Sequence, residues 1–129
     1  MTDPIISFVI PDLRTKSEAN MREHPKAKAR RVRVQRLTAK MHAHAAAGCK
    51  TVALPCVVRL TRIAPRKLDS DNCSSSMKAI RDGIADWLEI DDGSDDLIAF
   101  TYAQERGPYG VRVDVFQWAR LDTRIVEVV

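Results

Sequence analysis

The stretch that most limits how this chain can fold is residues 26–47, which hold neither glycine nor proline. They are rich in Ala, Lys and Arg, all good helix formers. Pro25 suits the first turn of a helix and Gly48 a stop, so one long helix is expected between them. Val34, Leu37, Met41 and Ala45 recur at three- and four-residue spacing and form its expected apolar face. The other faces carry Lys26, Lys28, Arg30, Arg31, Arg33, Arg36 and Lys40. Cations this dense attract a phosphate backbone in a salt-dependent way, but they read no base sequence. His42 and His44 lie two apart on that helix, point in different directions and do not share a metal.

The rest of the chain arranges itself around this helix. Residues 5–10 read as a strand stopped by Pro11, and residues 11–25 as a mobile loop. Residues 52–63 form a second strand whose first part Pro55 forces to an edge or bulge, with Arg59 and Arg62 as expected phosphate contacts. A second helix is expected over about 74–88, with Met77, Ile80, Ile84, Trp87 and Leu88 as its core stripe. Residues 97–104 and 111–117 read as two strands joined in a hairpin, with Arg106 and Tyr109 at the tip. Residues 124–129 suit either a last short strand or a dimer contact. The expected fold is thus a single α+β domain over residues 1–129, a mixed sheet carrying two main helices.

Composition excludes some classes. No run approaches the roughly 18 apolar residues of a membrane span, and the start, Met1-Thr2-Asp3-Pro4, lacks the basic region of a secretory signal. Three cysteines, Cys49, Cys56 and Cys73, leave one unpaired in any pairing and match no zinc spacing. A reducing cytoplasm is the expected location.

Charge is distributed unevenly. Residues 14–67 hold fifteen of the 21 Lys and Arg against only Glu18 and Glu23, whereas residues 68–98 hold nine acids against Lys78 and Arg81. A basic half that feeds an acidic knot suits a metal-dependent enzyme acting on a polyanion. The plainer alternative is a solvated basic helix beside an acidic loop. At the junction stands Asp69-Ser70-Asp71-Asn72, preceded by Arg66 and Lys67 and followed twenty residues later by Asp91 and Asp92. If residues 68–72 leave their strand extended, Asp69 and Asp71 share a face with their bases roughly 7 Å apart. Two such carboxylates repel unless a cation lies between them, and a small set of hard oxygen donors suits Mg²⁺. The same residues would also serve as a helix cap. No Ser-His-Asp or Cys-His arrangement competes, and a calcium loop fails because Ser74 and Ile80 occupy its glycine and bidentate-acid positions.

The order of these parts, from a strand ending in basic residues through D-x-D-N, Lys78 and Asp82 four apart, and Trp87-Leu88-x-x-Asp91-Asp92, resembles the RusA family of Holliday junction resolvases, including its phage and prophage members. The resemblance is best over residues 55–115. It implies a RusA-like domain and a homodimeric, Mg²⁺-dependent endonuclease, with Mn²⁺ as an alternative ion. Such an enzyme nicks branched DNA such as a four-way junction in recombination and repair, in the cytoplasm of a bacterium or of a phage-infected host. The essential carboxylates would fall on Asp69, Asp71 and Asp92, and the active-site lysine on Lys78. Asp91 and Asn72 would orient ligands or water. Lys26, Lys28, Arg30, Arg31, Arg33, Arg36, Arg66 and Lys67 are the expected DNA contacts. A different class stays open, a DNA-binding accessory protein that keeps the basic surface and does not cleave.

Overall fold

A computed structural model describes residues 3–16, 23–90 and 96–118. In chain order it forms β1 (Ile6–Pro11), α1 (Pro25–Ala47), β2 (Cys56–Ala64), α2 (Ser70–Ser76), α3 (Lys78–Trp87), β3 (Ile98–Arg106) and β4 (Gly110–Gln117). The strands make one mixed sheet in the order β1-β4-β2-β3, so the fold is α+β as expected. Residues 124–129 lie outside the described residues.

β2 sits inside this sheet, parallel to β3 and antiparallel to β4. Its sequence, Cys-Val-Val-Arg-Leu-Thr-Arg-Ile-Ala, puts Cys56, Val58 and Leu60 on the core face, while Arg59 and Thr61 stand on the other. The strand begins at Cys56, not at residue 52, because Pro55 has no N–H to give the ladder. The expected hairpin between the last two strands does not form. β2 lies between β3 and β4, and residues 107–109 arch over its end, where the Gly107 N–H donates to the Ala64 carbonyl at 3.1 Å. Local turn signals suggest a hairpin. The more apolar β2 instead takes the central place.

One face of the sheet carries the core. Ile6 and Ile10 of β1, Val58 and Leu60 of β2 and Val111, Val113 and Val115 of β4 pack there against Ala39 and Ala43 of α1 and Met77, Ile80 and Ile84. The expected second helix is two helices, α2 and α3, broken at Met77. Ser74, Ser75 and Ser76 each donate a hydroxyl to the carbonyl three residues back, a local bonding that competes with helix propagation and ends α2 early. The core stripe survives the break, because Met77, Ile80 and Ile84 are fully buried and Trp87 and Leu88 pack at its margin.

α1 starts and stops where expected, with Pro25 in its first turn and Gly48 at φ 58° after its last residue. Its inward face is not the expected one. Val34, Leu37 and Met41 are 56%, 56% and 61% exposed, and Gln35, Ala39, Ala43 and Ala47 are buried instead. The reason lies opposite, at Gly83 of α3. A Cβ there would run into the Arg36 carbonyl and stand 2.9 Å from Ala39 Cβ, so the helices meet too closely for a large side chain. The small residues face the core, and the larger ones are left in solvent. Beside this crossing Arg36 Nε and Nη2 donate to the two carboxylate oxygens of Asp86 at 2.6 and 2.8 Å.

Residues 12–16, expected to be part of a mobile loop, are anchored. Leu13 and Thr15 are buried, and the guanidinium of the buried Arg62 donates from Nε to Thr15 Oγ1 at 2.8 Å.

Two expectations follow. Gly83→Ala forces α1 and α3 apart and lowers stability by about 1–3 kcal/mol, despite alanine's better helix propensity. Urea unfolding measures this, and an unchanged or higher midpoint would refute the crossing. The Asp86 carboxyl is held below its ordinary range, chiefly by the hydrogen bond from Arg36, with the charges of Arg36 and Lys40 adding to it. A depressed folded-state value means the bridge contributes above the unfolded pKa of about 4 and is lost as pH falls through the folded value. Both side chains are partly exposed, so Asp86→Asn should cost about 0.2–1 kcal/mol at pH 7 and progressively less below pH ~4. Urea midpoints at both pH values measure it.

Candidate metal and phosphate site

The candidate site begins where β2 ends. After Ala64 the chain turns through Pro65, Arg66 and Lys67, and Leu68 is then held on both sides by one side chain. Gln104 of β3 accepts from the Leu68 N–H at 2.9 Å and donates from its amide to the Leu68 carbonyl at 2.7 Å. This two-bond clamp, together with the packing of Leu68 against the core, fixes the backbone that leads into Asp69. Nothing in the sequence singles out Gln104. Its role appears only once β3 lies parallel to β2 and brings residue 104 level with residue 62.

Asp69 does not leave an extended strand, as the D-x-D spacing would allow. It stands at the N-cap position of α2, at φ −58° and ψ 153°, and Asp71 lies inside the first turn. Ser70, Asp71 and Asn72 all favour the start of a helix, and here that preference overrides extension. The capping alternative also fails in its simple form, because the Asp69 side chain makes no cap hydrogen bond. Both carboxylates are exposed, and neither has an ion pair among the described residues. Asn72 is half-buried. The two aspartates therefore keep their oxygens available, a donor set that fits a hard divalent cation.

Asp91 and Asp92 lie outside the described residues. Among the described residues no three His, Cys, Asp or Glu side chains converge as a metal site.

Lys78 begins α3 with its side chain 70% exposed and 3.6 Å from Asp82, the expected i, i+4 pair. Arg81 shares the same carboxylate at 3.8 Å. Lys78 also lines a cavity of about 290 Å³ between α1 and the α2–α3 junction, together with Lys28, Gln35, Ser75 and Asp82. The structure thus brings Lys78 to Lys28 across that cavity, and its described ion pair is with Asp82.

Of the eight expected DNA contacts, Lys28 lines the cavity just described and the other seven divide into two groups. Lys26, Arg30, Arg33, Arg66 and Lys67 are exposed and form no ion pair among the described residues. Arg31 is bound to Glu23 at 3.0 Å with both side chains largely covered, and Arg36 is bound to Asp86, so these two hold structure together. Arg59 and Arg62, read from the sequence as phosphate contacts, are also engaged. Arg59 pairs with the buried Asp114 at 3.3 Å, which also accepts from Ser7, and lies over the Phe116 ring. Ser7, Asp114 and Arg59 stand level on β1, β4 and β2, so the group ties three strands together. Arg62 is buried and bonded to Thr15 and to the Arg66 carbonyl.

Cys56 and Cys73 are poor nucleophiles. Burial pushes the Cys56 thiol up to about 11 and raises Cys73 as well, Arg62 partly offsetting the latter. Cys49 is exposed, and all three are free.

The fold and site define a small α+β domain with two exposed aspartates, unpaired among the described residues, and a cluster of basic residues at one end of its central strand. Compared with known protein families, with curated proteins and with solved structures, the chain finds no match. No described helix is long and apolar enough to cross a membrane.

Proposed function

We propose that this chain is a Mg²⁺-dependent, structure-specific endodeoxyribonuclease that hydrolyses phosphodiester bonds in four-way junctions and other branched DNA, acting as a homodimer in recombination and repair. The observation that supports it best is the pair Asp69 and Asp71, whose exposed carboxylates have no ion pair among the described residues and follow closely on the exposed cations Arg66 and Lys67. A protein that only bound DNA would gain nothing from unpaired carboxylates next to phosphate, where they repel it. The resemblance to RusA resolvases agrees with this reading and would add Asp92 as the third carboxylate.

When bound, Mg²⁺ would polarise a phosphoryl oxygen and make water a better nucleophile at neutral pH. The residues of the chain supply the rest. Asp69, Asp71 and Asp92 would hold the ion, and the Gln104 clamp on Leu68 keeps the first of them in a fixed place. Arg66 and Lys67 draw the strand in, and the exposed Lys26, Arg30 and Arg33 of α1 extend that attraction along the duplex. Lys78 would offset charge that gathers on the phosphate. The second reading, an accessory protein that binds DNA without cleaving it, draws on one observation, namely that Lys78 is bound to Asp82.

Mg²⁺, and Mn²⁺ in its place, should switch on nicking of a labelled four-way junction. Asp71→Asn should reduce nicking by at least ~10²-fold while junction binding in EDTA is unchanged. No nicking by the wild type would favour the accessory reading, and equal nicking by wild type and Asp71→Asn would remove Asp71 from the site. Replacing Lys26, Arg30 and Arg33 together should lessen the slope of log affinity against log salt by about 0.9 for each phosphate no longer neutralised. An unchanged slope in a binding titration would remove α1 from the interface.

A further inference from the structure

A cavity of about 320 Å³ opens at the carboxyl ends of β2 and β3, lined by Arg62, Ala64, Pro65, Arg66, Lys67, Gln104, Glu105 and Arg106. Its charge is one-sided. Arg62 is only 6% exposed, yet its bonds go to two neutral groups, the Thr15 hydroxyl at 2.8 Å and the Arg66 carbonyl at 2.7 Å. Among the described residues no carboxylate pairs with it. A buried cation without a counter-charge is costly to keep, and the cost falls when an anion occupies the space beside it. Arg66, Lys67 and Arg106 are exposed around the same cavity and likewise have no described ion pair. The one acid in the lining, Glu105, is already held by Arg112. Gln104, its one neutral side chain with a hydrogen-bonding amide, spends that amide on Leu68. What remains for a ligand is positive charge and guanidinium donors, with nothing arranged to read a base. The volume equals that of about ten waters at ~30 Å³ each, enough for a phosphate and part of its sugar.

We propose that this cavity is a phosphate subsite that receives one backbone phosphate of a DNA strand, beside the one presented to Asp69 and Asp71. The subsite rests on the nuclease reading for its position on the strand. Its chemistry requires only the cations. Arg106 enters the interface here, where the sequence offers it only as a loop tip. The arch at residues 107–109 holds it level with Ala64, opposite Arg66 and Lys67.

The test uses the full chain in EDTA, so that nothing is cleaved, and measures binding of a fluorescent single-stranded oligothymidylate at low salt. Arg66→Ala with Arg106→Ala removes two exposed charges and leaves Arg62 in the core. This variant should bind at least ~10-fold more weakly, with the salt slope reduced by about 0.7 for each phosphate left without its cation. A control that removes the same charge elsewhere, Lys40→Ala with Lys50→Ala, should weaken binding less than ~3-fold. Equal weakening in the two variants would overturn the subsite. Inorganic phosphate should displace the oligonucleotide only at millimolar levels, and displacement as effective as that by unlabelled oligonucleotide would overturn the assignment to a strand. The comparison is repeated with Asp69→Asn and Asp71→Asn in place. If the pocket effect persists there while wild type never nicks, the nuclease reading falls alone. If nicking is normal and the pocket effect is missing, the subsite falls alone.

Discussion

The fold depends on β2 being paired along both edges. Seven of its nine residues are buried, and its neighbours run in opposite senses, β3 parallel and β4 antiparallel. A parallel neighbour demands a long crossover, and the segment between β2 and β3 supplies it, carrying α2 and α3. The same arrangement directs the chain leaving β2 into Asp69. It also brings β3 alongside, so that Gln104 reaches Leu68. The position of the candidate site is therefore a consequence of strand pairing more than of the acidic motif itself.

The elements themselves are largely legible in the sequence. α1 is bounded by Pro25 and Gly48, and alternation along Val111, Val113 and Val115 marks β4, because caps and periodicity are local properties. What fails is whatever depends on a distant partner. Hydrophobicity favours Val34, Leu37 and Met41 as the inner face of α1, while the close approach of Gly83, more than forty residues away in α3, turns Ala39 inward instead. The hairpin misleads for a similar reason, since no turn signal between β3 and β4 reports that β2 lies between them.

The site is legible in part. Asp69, Asp71, Arg66 and Lys67 stand out by spacing and charge, and they are exposed and without an ion pair among the described residues. Arg59 and Arg62 carry the same formal charge and so look the same in the sequence. Burial separates them. Arg59 neutralises Asp114 inside the sheet, and Arg62 anchors residues 12–16 and the turn at Arg66. Charge can be counted from a sequence, but whether a guanidinium is engaged can be known only from its surroundings. The half-buried Gln104 carries no charge to draw attention, though it holds the backbone next to the first aspartate.

The arch over β2 has a mechanical side. Between Arg106 and Gly110 the chain must step across two strand spacings, about 9.6 Å, using residues 107–109. Four backbone steps reach about 14 Å when stretched, and three reach only about 10 Å. The span is thus one residue short of taut. Lengthening it merely lets a surface loop bulge outward, but removing a single residue would leave the chain fully stretched across the strand between β3 and β4. The length of this small bridge, more than its composition, is what the architecture holds constant.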